Sequence, residues 1–65
     1  MQSGVVSAFG EREGLGEITD AAGRVWPFHC VEILDGSRTI AVGAAVAFEP
    51  LAKLGRFEAR RIRPA

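Results

Sequence analysis

The residue types that most often carry chemistry are sparse in this sequence. The only histidine, His29, stands next to the only cysteine, Cys30. Neighbouring side chains on a strand point to opposite faces, and no further Cys or His is present to complete a metal site. Four carboxylates lie early in the chain, but a 65-residue domain has no deep, dry pocket to tune them for acid–base catalysis. These carboxylates are Glu11, Glu13, Glu17 and Asp20. We therefore expect no metal, no cofactor and no enzymatic activity.

Composition and charge describe one small domain, which we place at residues 1–65. Eight basic and eight acidic residues cancel, which argues against the strong positive field that many nucleic-acid-binding domains carry. A lone cysteine fits a reducing compartment and excludes an internal disulfide. The sequence shows no targeting signal, and its longest apolar-rich stretch, Ile40 to Phe48, is far shorter than the ~20 residues of a spanning helix. We expect a cytoplasmic protein without a membrane partner.

Short apolar segments alternate with glycine-bearing turns, and no helical period is sustained. Strands at such spacing predict an all-β fold of five antiparallel strands, a small sandwich or barrel. The predicted segments are Gly4 to Phe9, Leu15 to Thr19, Val25 to Ile33, Ile40 to Glu49 and Arg56 to Arg63. The last of these contains helix formers, but Gly55 would interrupt a helix there. A helical turn is a better candidate within Pro50 to Leu54.

The alternation of residues along these strands predicts which side chains form the core. Trp26 and Phe28 share one parity and should point inward, while Val25, Pro27 and His29 point outward. Pro27 has no N–H, so its strand should be an edge strand or carry a bulge. The other inward positions are Val6, Gly16, Ile18, Val46, Phe48, Ala59 and Ile62.

Arginine is concentrated late in the chain. Seven of the eight basic residues are arginines, and Arg56, Arg60, Arg61 and Arg63 fall in the last predicted strand. Arginine makes forked contacts with phosphate and stacks on bases better than lysine does. The alternative is a solvated terminal strand whose charges only keep the protein soluble.

Five segments of the chain resemble the cold-shock domain, a five-stranded barrel of the oligonucleotide-binding type. The segment SGVVSAFG stands where that family opens with Gly-Thr-Val-Lys-Trp-Phe-Asn, and REGLGEI where it has Lys-Gly-Phe-Gly-Phe-Ile. The family's Val-Phe-Val-His is matched by WPFH, and its Glu-Gly-Gln-x-Val-x-Phe by VGAAVAFE. The closing EARRI resembles Ala-x-Asn-Val. The correspondence covers nearly the whole chain.

The resemblance implies a single-strand-binding face. In such domains bases stack on outward aromatic rings of the first three strands, and basic residues follow the phosphates. Carried over to this chain, the base-contacting positions are Phe9, Leu15, Pro27 and His29. The phosphate-contacting candidates are Arg12, Arg38, Arg56, Arg60 and Arg61, with Arg24 beside the same face.

The chain departs from the family at most of the stacking positions. Four rings are replaced, by Ala8, Leu15, Glu17 and Pro27, while Ser7 and Glu13 replace lysines. On a scale of about 1–3 kcal/mol per stacked base, binding should be much weaker than in the family.

Two functions are consistent with this pattern. One is weak, salt-sensitive binding of single-stranded RNA or DNA, with the remaining affinity coming mostly from arginine–phosphate contacts. The alternative is a protein-interaction module on the same fold, in which Leu15, Val25 and Pro27 contact a protein partner instead of bases.

Overall fold

The computed structural model describes all 65 residues and contains five strands in a single antiparallel sheet. The strands are β1 (Gln2–Gly10), β2 (Leu15–Asp20), β3 (Val25–His29), β4 (Ala45–Lys53) and β5 (Arg56–Pro64). One turn of 3-10 helix, Cys30–Glu32, follows β3. The predicted all-β, five-stranded antiparallel fold is therefore confirmed. The chain has no helix of the length and apolarity required to cross a membrane.

The strands lie in the order β3-β2-β1-β4-β5, so β1 is central. The first half of β1 pairs with β4 on one side, and nearly the whole strand pairs with β2 on the other. A bulge between Val6 and Ala8 bends β1, and a second between Ala47 and Glu49 bends β4. Bulges strengthen the local twist, which curves the sheet so that one face encloses the core.

The two end strands approach each other without forming a ladder. The segment after the 3-10 turn meets β5 through a single parallel bridge between Ile33 and Ile62, and the Leu34 N–H donates to the Ile62 carbonyl at 2.9 Å. No strand pairing joins β3 to β5 directly. The sheet is therefore curved and fastened at one end, with open strand edges at the other.

Pro27 lies on an end strand, as predicted from its missing N–H. The Asp20 N–H donates to the Arg24 carbonyl and the Cys30 N–H to the Gly14 carbonyl, which puts residues 24, 26, 28 and 30 in the bonded pairs with β2. The nitrogen of Pro27 therefore faces the open edge, where a missing donor removes no ladder bond. It also blunts that edge against pairing with another chain.

The core consists of nine buried side chains between the curved layers of the sheet. All the predicted inward positions are buried: Val6, Gly16, Ile18, Trp26, Phe28, Val46, Phe48, Ala59 and Ile62. Ile33 was not among the predicted core residues, and it is 6% exposed because the bridge to Ile62 draws it against β5.

Three predicted strand boundaries are wrong by four or five residues. The third strand ends at His29 rather than Ile33, because the chain turns at Cys30 to reach β5. The fourth strand begins at Ala45 rather than Ile40 and ends at Lys53 rather than Glu49. Residues 50 to 53 are therefore extended, although a helical turn was a candidate within Pro50 to Leu54. Pro50 is accommodated because β1 pairs with β4 only as far as Phe48, which leaves an open edge beyond it.

Candidate functional site

A groove of about 540 Å³ lies where the β2–β3 hairpin meets the ends of β1 and the start of β5. Five of the nine predicted contact residues line it: Phe9, Leu15, Pro27, His29 and Arg56. The other four, Arg12, Arg38, Arg60 and Arg61, lie outside it. The fold thus assembles the predicted base contacts and separates them from most of the predicted phosphate contacts.

The register of β2 and β3 explains why these side chains meet. Leu15 lies opposite His29, and Glu17 opposite Pro27, so all four belong to the outer face of one hairpin. Leu15, Glu17 and His29 are exposed, and Pro27 is half-buried. The outer face therefore offers two apolar side chains and one imidazole beside a carboxylate.

Phe9 contributes in a different way from the other four residues. It pairs with Gly16 on the inner side of the sheet, is half-buried and packs against the core. Its ring is stacked on Phe28, with centroids 6.0 Å apart and planes inclined by 10°. Phe9 therefore supports one wall of the groove and is not a free stacking platform.

Gly16 is required at this wall by close approach. A Cβ there would lie 2.5 Å from Cζ of Phe28 and 2.9 Å from the carbonyl oxygen of Ala8. Both distances are shorter than nonbonded carbon contacts allow, and the carbonyl is backbone that cannot swing away. The missing side chain lets Phe28 fill the core directly beneath β2.

A buried carboxylate that was not among the predicted site residues borders the groove. Glu58 is 5% exposed and receives a hydrogen bond from Nη2 of Arg56 at 2.8 Å, with Nζ of Lys53 at 3.9 Å. Two cations thus compensate one desolvated anion. The available signal was the parity of Arg56 and Glu58, which places the two side chains on one face of β5.

Two arginines of the predicted cluster, Arg60 and Arg61, are paired with a carboxylate of the protein itself. Glu49 lies opposite Arg60 across β4 and β5, and its two oxygens meet Nη2 of Arg60 at 3.5 Å and Nε of Arg61 at 3.1 Å. The three side chains are partly exposed, between 35% and 53%. The pairing reduces the positive potential of the region that was expected to follow the phosphates.

Asp20 fastens the turn of the β2–β3 hairpin behind the groove. Its side chain accepts hydrogen bonds from the Trp26 indole at 3.0 Å and from the backbone N–H groups of Ala22 and Arg24, each at 2.9 Å. The indole bond is the main cause that lowers the pKa of Asp20; burial opposes it, and the two backbone bonds and the Arg24 charge add to it. This carboxylate holds Trp26 and the hairpin turn in one arrangement.

His29 and Cys30 are neighbours in the sequence but lie in different surroundings. No group of three or more His, Cys, Asp or Glu side chains lies close enough together to hold an ion. His29 is exposed at the end of β3, and Cys30 packs against the core with its sulfur facing Gly14.

In comparisons with known proteins, no family model matches the chain and no curated protein matches it. The resemblance to the cold-shock domain therefore rests on the five sequence segments that were quoted for it.

Proposed function

We propose that the protein binds single-stranded nucleic acid, RNA or DNA, through the groove, as a divergent cold-shock-like domain. One observation carries the proposal: the fold places Leu15, Pro27 and His29 side by side on an exposed hairpin face with Arg56 at its border. Apolar side chains and an imidazole can contact the faces of unpaired bases, whatever the base, and a guanidinium can reach the phosphate.

The strand arrangement supports a barrel of the oligonucleotide-binding type. A β1–β3 meander, β4 returning beside β1, and a bridge from the segment after β3 to β5 form a sheet that curves back on itself. In such barrels the β2–β3 face and the adjoining loops bind oligonucleotides. The groove occupies that face.

The charge arrangement changes the expected mode of binding. Arg60 and Arg61 lie outside the groove and share Glu49, so the one arginine that lines the groove is Arg56 and few phosphates are neutralised. At about −0.7 per contacted phosphate, one or two contacts give a slope of log affinity against log salt near −0.7 to −1.4. The sequence alone had pointed to binding dominated by several arginines. We now propose weak binding in which base contacts contribute the larger share.

A protein-interaction surface is the second candidate, and the acidic groove border favours it. Glu17 lines the groove, and Val25 on the same hairpin face is 53% exposed. An apolar surface with carboxylates at its border repels phosphate and suits a protein that presents apolar and basic side chains.

The test is a titration of the protein with a short oligothymidine and a matched oligouridine at ~20 mM salt, followed by amide chemical shifts. We expect saturable shifts in β2 and β3 and a dissociation constant in the range of weak non-specific binders, about 10⁻⁴–10⁻⁶ M. His29→Ala should weaken binding severalfold, because the imidazole ring can contact the face of a base. Arg60→Ala is the control and should bind like the parent.

Absence of any saturable chemical-shift change with either oligonucleotide would remove nucleic-acid binding as the function. Recovery of a protein partner whose association is abolished by Leu15→Glu would then establish the second candidate.

A further inference from the structure

Phe57 is the one aromatic ring of the protein that is largely exposed. The sequence contains five aromatic residues, and Trp26, Phe28 and Phe48 are buried while Phe9 is half-buried. Phe57, at the start of β5, is 59% exposed. One side of it meets Trp26, with ring centroids 6.3 Å apart and planes inclined by 57°. A ring that is supported on one side and open on the other has the geometry of a stacking platform.

Two arginines stand beside this ring, in a shallow depression of about 370 Å³ that also includes Val25. The side chains of Arg24 and Arg56 are 66% and 65% exposed. Each is held in place by one buried carboxylate: Nε of Arg24 lies 3.2 Å from Asp20, and Nη2 of Arg56 lies 2.8 Å from Glu58.

These pairings leave donors free on both guanidinium groups. A guanidinium has five N–H donors, and each carboxylate engages a single nitrogen here. The buried anions therefore orient the arginines while leaving N–H groups that can bind phosphate oxygens. Two oriented cations that line the same depression as an exposed ring can bind the phosphates next to a base stacked on that ring.

The depression at Phe57 continues the groove, since Pro27 and Arg56 line both. We propose that Phe57 is a base-stacking residue, and that a single strand bound in the groove passes over Pro27 to place its next base on Phe57 between Arg24 and Arg56. This inference rests on the proposed function and adds to it an aromatic contact that the first three strands lack. It also identifies Arg24 and Arg56 as the principal phosphate contacts.

The experiment measures binding of an oligothymidine of about six nucleotides to the parent and to three variants. Phe57→Ala should weaken binding about fivefold or more, since a stacked base contributes about 1–3 kcal/mol. Phe57→Trp should restore or exceed the parent's affinity, because a larger ring stacks at least as well. Leu54→Ala is the matched control, since Leu54 is a fully exposed apolar side chain in the turn before β5. A strand of the same length without bases should bind the parent and Phe57→Ala equally.

Chemical shifts in the same titration separate this inference from the proposed function. Upfield shifts of the Phe57 ring protons together with shifts at His29 support both. Shifts at His29 without any change at Phe57, and equal affinities of Phe57→Ala and the parent, would overturn the stacking role and leave the groove as the binding site. An equal loss in Phe57→Ala and Phe57→Trp would also overturn it, because a loss that a larger aromatic ring does not restore does not come from stacking. No shift in either region would remove both proposals.

Discussion

The outer face of the β2–β3 hairpin and the outer surface of the β4–β5 hairpin handle polar groups in opposite ways. On β4–β5, Glu49 joins Arg60 and Arg61 in ion pairs, so part of the positive charge there is compensated within the protein. On β2–β3, Leu15, Glu17 and His29 lie exposed beside a groove, and neither Glu17 nor His29 takes part in an ion pair.

This contrast shows that a cluster of charges in sequence is a poor guide to an available charge in space. Arg60 and Arg61 were among the predicted phosphate contacts, yet both lie outside the groove and share the counterion that β4 supplies. Arg56 is also paired, with Glu58, but it lines the groove. The proposed recognition site is therefore the β2–β3 side and the start of β5.

Gly16→Ala, at the wall of the groove, should produce the largest effect. The added Cβ would clash with the Phe28 ring and with the Ala8 carbonyl, so the strands must shift. Overpacking of this kind costs about 1–3 kcal/mol of unfolding free energy, a large fraction for a domain of this size. Urea unfolding measures the loss, and oligothymidine affinity should fall with it.

Gly10→Ala is the matched control, because the added Cβ would meet only the flexible carboxylate of Glu13. Its stability should stay close to that of the parent. If Gly16→Ala unfolded at the parent's urea midpoint, the close packing of β2 on Phe28 would not hold.

The second prediction concerns a variant in which aromatic rings are introduced on the outer face of the β2–β3 hairpin. Leu15, Glu17 and Pro27 all line the groove and lie outside the core. Phenylalanine at all three positions should raise oligothymidine affinity at least tenfold, or about 1.4 kcal/mol, with little change in stability. Calorimetric titration of the triple variant gives the value.

A triple variant with phenylalanine placed on other exposed apolar positions, Val31, Leu34 and Val42, is the control and should bind like the parent. Equal affinities of both triple variants would mean that the nucleic acid does not lie on the hairpin face.

The fold was predictable from the sequence because the alternation of residues records which face is buried. Trp26 and Phe28 lie in the core and Pro27 lies on an end strand, as period two and the missing N–H require. The strand ends were less predictable. Ile33 continues an apolar run, but a 3-10 turn redirects it towards Ile62, and only the long-range contact explains that change.

The site was predictable to a smaller extent, for a physical reason. Positions on one hairpin keep their spacing from sequence to space, so Leu15, Pro27 and His29 could be grouped in advance. The partners of Arg60 and Arg61 depend on the register of β4 with β5, which the sequence does not show. Phe57 was not predicted as a site residue, because alternation alone does not distinguish a largely exposed ring at a strand end from a core ring.

The third prediction compares a buried carboxylate behind the groove with an exposed one. Asp20 has a lowered pKa because the Trp26 indole donates to it, so it contributes stability above its unfolded pKa of about 4 and loses that contribution as the pH falls through its lower folded pKa. Asp20→Asn should therefore be less stable than the parent at pH 7, and its stability should fall less on acidification below about pH 5. Thermal unfolding across pH 3–7 gives both quantities.

Asp35→Asn is the control for this prediction. The Asp35 pKa is also lowered, by the Ser37 N–H, but that bond lies in an exposed loop away from the core. Its replacement should change stability less than Asp20→Asn does. Equal pH profiles for Asp20→Asn and the parent would mean that Asp20 does not fasten the hairpin.

The smallest effect is expected from releasing the arginines of the β4–β5 surface. Glu49→Gln removes their counterion, and because exposed ion pairs contribute about 0–1 kcal/mol, the unfolding free energy should change little. If the nucleic acid lies on the β2–β3 side, Arg60 and Arg61 attract it only at long range. Its affinity at low salt should therefore rise less than about twofold, and the slope of log affinity against log salt should steepen by less than about 0.7. Arg60→Ala with Arg61→Ala should likewise leave the slope nearly unchanged. The opposite result would be a salt slope that is steeper by about 1.4 in Glu49→Gln and returns to the parent's value when both arginines are also replaced. It would show that two further phosphates are contacted and that the nucleic acid extends onto the β4–β5 surface.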